Sequence, residues 1–125
     1  AWSPDRTAKI YVKITPQDLD DLVLLAMLDT GAPWSLLDSD VAAALNLFDG
    51  EGESTTVRTW RGPVTGRLER IRLRLHADEG SSLDFEATFL VAPDWQGNFL
   101  GYGGLLQHIR CAIDATNNHF YFGRD

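Results

Sequence analysis

The chain has 125 residues, 44% of them hydrophobic and 23% charged, with 18 acidic against 11 basic side chains and a formal net charge of -7. That length suits one domain (1-125) with a real core and is short for a two-lobed enzyme, and the acidity argues against general nucleic-acid binding. The lone cysteine, Cys111, excludes an internal disulfide, and no apolar run reaches the length of a bilayer span. No signal-peptide pattern opens the chain, and its start at Ala1 suggests a domain processed or excised from a longer parent. A cytoplasmic or cytoplasmic-side location is therefore expected rather than secretion, with membrane association only through a missing part of that parent.

Ile10, Val12 and Ile14 alternate with Lys9, Tyr11 and Lys13, which predicts a half-buried strand over 8–15, ended by Pro16. The acidic turn Asp18 to Asp21 leads into an apolar run, Leu22 to Leu28, that reads as a strand buried on both faces. This run stops on Asp29-Thr30-Gly31-Ala32-Pro33-Trp34-Ser35, and Leu36-Leu37 follow. Ser39 is placed to cap a short helix, Asp40 to Leu45, closed by Asn46. Ser54 to Leu75 reads as a long hairpin with a turn-rich tip over 61–66 containing Gly62, Pro63 and Val64. Six arginines fall in it, but Arg70, Arg72 and Arg74 alternate with Ile71, Leu73 and Leu75, as on the solvated face of a strand.

Leu83, Phe85, Ala87, Phe89 and Val91 give the clearest amphipathic strand. Asn98 to Gly101 is a second buried strand, Gly104 to His108 fits a helical turn or two, and a last hairpin turns at Asn117-Asn118. Many strands with one or two short helices predict an all-β fold, closed and mostly antiparallel.

Asp29 ends an interior strand on a tight turn, a costly place for a charge unless it is hydrogen-bonded or has a special role. Asp followed by Thr and Gly also suits ordinary turn chemistry, and spacing alone leaves both readings open. The second feature is Phe99-Leu100-Gly101, an apolar pair ending on glycine far down the chain.

Asp29-Thr30-Gly31-Ala32 after an apolar strand, Ser35 and Leu36-Leu37 beyond it, and Phe99-Leu100-Gly101 near the end together resemble the retropepsin-like aspartic proteases. The resemblance runs from about Lys9 to Gly123 and implies an acid-protease barrel whose hairpin tip is the flap over the substrate. It further implies catalysis by Asp29, with Thr30 hydrogen-bonding across a two-fold axis and Gly31 allowing close backbone approach. Substrate contacts are expected from Ala32, Trp34, Gly62, Pro63, Val64 and Leu100. Relatives often carry Arg followed by Asp or Asn after the position of Gly101, where this chain has Tyr102 and Gly103.

Such chemistry needs two carboxylates sharing one proton, one acting as base toward water and the other as acid toward the carbonyl. Only one Asp-Thr-Gly exists, so the partner carboxylate is expected from a second copy in a homodimer. The expected substrate is a peptide or protein, with no cofactor, no metal and no nucleic acid. His76, His108, His119 and Cys111 show no ligand spacing, and Ser35 lacks a nucleophile-elbow context. Gly101-Tyr102-Gly103-Gly104 lacks both the Walker lysine and dinucleotide spacing. The alternative from another class is a non-catalytic peptide-binding or dimerisation module that keeps the fold.

Overall fold

A computed structural model describes residues 10–29, 33–59, 61–78, 80–101, 103, 110–114 and 119–123. In chain order the strands are β1 (Tyr11–Pro16), β2 (Leu24–Leu28), β3 (Ser35–Leu37), β4 (Ser54–Thr59), β5 (Gly62–Leu75) and β6 (Leu83–Val91). β7 (Phe99–Leu100), β8 (Arg110–Asp114) and β9 (His119–Gly123) follow, and one α-helix, α1 (Ser39–Ala44), lies between β3 and β4. The predicted Gly104 to His108 helix and the Asn117-Asn118 turn fall outside the described residues. β8 and β9 do pair antiparallel, with Asp114 opposite His119.

The main sheet runs β1-β2-β7-β3-β6-β5-β4, and β1 also pairs with the far end of β5, Ile14 opposite Leu75. That last pairing closes six strands into a barrel and leaves β4 outside it, attached only to the first half of β5. Closure removes the exposed edges that an open sheet would carry. Most neighbours are antiparallel, as expected, while β2 with β7 and β3 with β6 are parallel.

Strand alternation sorts the apolar side chains into two cores. Ile14, Ala26, Leu37, Leu75, Phe89, Val91 and Leu100 point into one cluster, the barrel interior. Their immediate neighbours Leu36, Leu90 and Phe99 point the other way, into a second cluster with Ala92 and Trp95. Val57 of β4 and Val64 of β5 join this second cluster, so the hairpin covers the outer face of the β2-β7-β3-β6 wall. β3 and β7 are thus buried on both faces.

Three expectations change. The apolar run before Asp29 is not buried throughout: Val23 is 56% and Leu25 60% exposed, and within β2 Ala26 alone is fully buried. A strand in the barrel wall has one inward and one outward face, and here the outward face is apolar too. The helix cap is Asp38, whose side chain accepts from Asp40 N–H at 2.9 Å, rather than Ser39, which is already helical. Asn46 does close the segment, in the left-handed conformation (φ 57°). The hairpin ladder also runs further than predicted: Thr59 pairs with Gly62, and Pro63 and Val64 already belong to β5 opposite Arg58 and Val57. Gly62 supplies the positive φ (97°) at the tip that joins the strands.

The basic ribbon is the solvated face of β5, and its charge is answered across the sheet. Arg74 lies 2.7 Å from Asp84, Arg70 lies 2.5 Å from Glu86, and Arg72 approaches Glu86 at 4.0 Å. Bonding to the Arg70 guanidinium, and then its charge, hold the Glu86 carboxyl below its ordinary value. A lowered carboxylate pKa contributes stability that is present above the unfolded value of 4.5 and is lost as the pH falls through the folded one. The urea midpoint of wild type should therefore exceed that of Glu86→Gln at pH 7, and the gap should close at about pH 3 and in about 1 M salt, where exposed pairs are screened. In the barrel interior, Phe89→Ala should lower stability by about 3–5 kcal/mol in urea denaturation, since it removes a fully buried ring between β3 and β5.

Candidate active site

The parallel β2-β7 pair positions Asp29. Met27 stands opposite Phe99 and Leu28 opposite Leu100, and Asp29 N–H donates to Leu100 O at 2.9 Å, one step beyond the last paired residue. The backbone of Asp29 is thereby fixed while its side chain stays half-buried. Within β2, Met27 joins the second cluster and Leu28 the barrel interior, and Asp29 follows directly after the strand ends.

β3 completes the arrangement on the other side of β7, Leu36 opposite Phe99. β7 therefore lies between the two strands that flank the Asp29 turn. Ser35, 0% exposed, accepts Gly101 N–H on its Oγ at 2.9 Å. Gly103 N–H donates to Pro33 O at 2.9 Å, with Trp34 and Gly103 forming a bridge. A Cβ on residue 103 would run into the Pro33 carbonyl, so glycine is required there for the backbones to meet. Both ends of the turn are thus bonded to the segment around Phe99-Leu100-Gly101.

Residues 93–98 form a rigid shoulder beside β7. Asp38 caps α1 and also accepts Gly97 N–H at 2.8 Å, and its own N–H donates to Asn98 Oδ1 at 3.0 Å. Asn98 O accepts Met27 N–H at 2.9 Å, and Trp95 O accepts Ser39 N–H at 2.8 Å. Trp95 is 4% exposed and meets Phe99 edge-on, centroids 5.7 Å apart at 68°.

Of the residues singled out in the sequence, Asp29 is described, whereas Thr30, Gly31 and Ala32 lie outside the described residues. Trp34 is half-buried against the second cluster, as is Val64; Gly62 and Pro63 open β5, with Pro63 exposed. Leu100 departs from its expected role: its side chain is 0% exposed in the barrel interior, because β7 turns Phe99 and not Leu100 toward the hairpin side. What Leu100 gives the site is its carbonyl oxygen.

Reading the sequence for function passed over Ser35, Asp38, Asn98, Arg61 and Trp95 as parts of the site's frame. In the sequence Ser35 contributes to the family resemblance and otherwise reads as a hydroxyl without nucleophile partners. A small hydroxyl between two apolar stretches is the one available signal that it serves a buried backbone donor. Among the described residues no group of three His, Cys, Asp or Glu side chains could hold a metal ion. Two hollows, of about 740 and 650 Å³, are lined by other residues than Asp29.

No family model matches the chain, and no curated protein sequence matches it. Among solved structures, the retroviral protease-like domain of Ddi1 from Leishmania major superposes with a TM-score of 0.54 at 16% identity, over 94% of this chain and 90% of that one. The EIAV protease in complex with the inhibitor HBY-793 superposes with a TM-score of 0.44 at 20% identity, over 81% of this chain and 86% of that one. The first likeness, nearly end to end, establishes a retropepsin-like barrel.

Ser35→Ala leaves Gly101 N–H buried without its acceptor, and stability should fall by about 1–3 kcal/mol in urea denaturation, the cost of stranding such a donor. Ser35→Thr, which keeps the hydroxyl, should recover most of the loss if the extra methyl is accommodated.

Proposed function

We propose that this retropepsin-like domain is an aspartic endopeptidase whose site is completed by a second copy of the chain. The observation that supports this most directly is the position of Asp29, its backbone fixed at the end of a parallel strand pair and its side chain half-buried. One carboxylate so held cannot serve as both base and acid in one step. A two-fold axis beside Asp29 supplies the second from an identical turn.

In the proposed reaction the ionised Asp29 of one copy takes a proton from water as its oxygen attacks the scissile carbonyl. The protonated Asp29 of the other copy gives its proton to the carbonyl oxygen, and a tetrahedral diol results. Collapse breaks the C–N bond as the carboxyl proton passes to the leaving nitrogen, while a diol hydroxyl gives its proton to the other carboxylate as C=O re-forms, which returns the pair to its singly protonated state. Like charges at close range resist joint ionisation, which keeps one proton on the pair over acidic to near-neutral pH. Thr30 is assigned to the cross-axis hydrogen bond and Gly31 to close backbone approach. The peptide would lie extended between hairpin and barrel, its side chains against Trp34, Val64 and Phe99, with Ala32, Gly62 and Pro63 along its backbone. No cofactor is invoked.

Incubation with a mixed peptide library should give cleavage with an optimum at about pH 4 to 6, as the shared proton requires. Asp29→Asn should lower the rate by at least about 100-fold, the usual contribution of a positioned acid or base. Molecular mass over a concentration series should rise from one chain to two along with activity. Clean peptide binding by wild type and variant alike, with no cleavage, would instead establish a peptide-binding module on the same fold.

A further inference from the structure

We propose that Arg61 is a latch that holds the β4-β5 hairpin down on the 93–98 shoulder of its own chain, so that the hairpin rests closed and must be released before it can lift. Arg61 directly precedes Gly62, the first residue of β5, at the tip of the hairpin, 35 residues from the Gln96 carbonyl it touches. Its guanidinium carbon lies 4.2 Å from the centre of the Trp95 ring and 5.8 Å from that of Phe99. Nη1 donates to Gln96 O at 2.7 Å. A planar cation stacked on an indole and bonded to the adjoining carbonyl is held by two independent attractions with one geometry.

Both sides of the contact are stiff, which makes it a latch rather than a chance approach of a surface side chain. On the hairpin, Thr59 Oγ1 accepts Arg61 N–H at 3.0 Å and donates to Gly62 O at 2.8 Å, fixing the turn. On the shoulder, Asp38 and Ser39 hold Gly97, Asn98 and Trp95 through the bonds described above. On the same side Val57 and Val64 meet the second cluster by apolar contact.

The latch is also built to open. Trp95 Nε1 is buried with no hydrogen-bond partner among the described residues. A buried donor without an acceptor disfavours the closed state, and raising the hairpin would give that N–H access to water or to a carbonyl of whatever enters. The closed form is thus held by the guanidinium and opposed by the unsatisfied indole N–H. On the peptidase reading, on which this consequence rests, a peptide passing between hairpin and shoulder displaces Arg61 first.

Hydrogen exchange of the full chain, followed by mass spectrometry, tests the latch without requiring turnover. Amides of residues 57–64 should exchange about tenfold faster in Arg61→Ala than in wild type, the loss of one stacked cation and one charge-assisted bond. Arg61→Lys, which keeps the charge without the planar stack, should fall between them. β6 should exchange equally in all three proteins. Equal exchange of 57–64 in wild type and Arg61→Ala overturns the proposal, as does acceleration spread evenly into β6, which would make Arg61 a general stabiliser. An inactive enzyme with the expected exchange pattern leaves the latch standing and removes only the peptidase reading.

Discussion

The parallel pairing of β2 with β7, a contact of only two residues on each strand, is the constraint on which this structure depends. Parallel neighbours cannot be joined by a tight turn, so the chain must travel from Leu28 through the rest of the barrel before Phe99 returns beside Met27. So short a ladder is weak by itself. It persists because β3 bonds the other side of β7, Ser35 fixes Gly101, and Asn98 ties β7 both to β2 and to the cap of α1. Asp29 inherits its position from all of these.

The same alternation that buries β7 on both sides divides the barrel interior from the hairpin-covered face. Leu100 faces inward and helps to hold the barrel together, while Phe99 faces outward and lies under the hairpin with Trp95, Leu36 and Leu90. A substitution at Leu100 therefore acts on the fold and through it on Asp29, whereas one at Phe99 acts on the surface that the hairpin covers. Neighbouring residues on one two-residue strand thus serve different ends.

Much of this was legible in the sequence. Ile10, Val12 and Ile14 gave β1, and Leu83 to Val91 gave β6 at its observed bounds, because half-buried strands write their two faces as alternation. The alternation of Arg70, Arg72 and Arg74 with apolar residues identified a solvated face, although their partners Asp84 and Glu86 lie on another strand and could not be paired with them by spacing. The extent of the apolar run before Asp29 misled: Val23 and Leu25 are as hydrophobic as core residues and are exposed all the same, since composition records what a side chain is and not which way the strand turns it. The tip of the hairpin was placed too far along because Gly62, Pro63 and Gly66 all look like turn residues. Register decides between them, and only Gly62 is next to the turn. The frame around the site was the least legible part, because Asp38 with Gly97 and Ser35 with Gly101 are 59 and 66 residues apart and carry no local signature.

On the proposed peptidase reading, a half-site of this kind would have to satisfy two opposed mechanical demands. Carboxylates that share a proton tolerate little misplacement, so the turn bearing Asp29 must be rigid, and its backbone bonds to Leu100, together with those of Pro33 to Gly103 and Ser35 to Gly101, meet that demand. An extended peptide, by contrast, can enter only if something beside the turn moves. β4 lies outside the closed barrel and borrows its hydrogen bonds from half of β5 alone, so the hairpin can rise without breaking the β1-β5 or β5-β6 pairings that close the barrel. Register makes the division sharp: β5 pairs with β4 as far as Arg67 and with β6 from Arg67 onward. Arg67 itself is anchored through its guanidinium to the carbonyls of Phe48 and Gly50. The residue at which β5 changes partners from β4 to β6 is therefore itself bonded to the 47–50 segment, apart from the strands that hold Asp29.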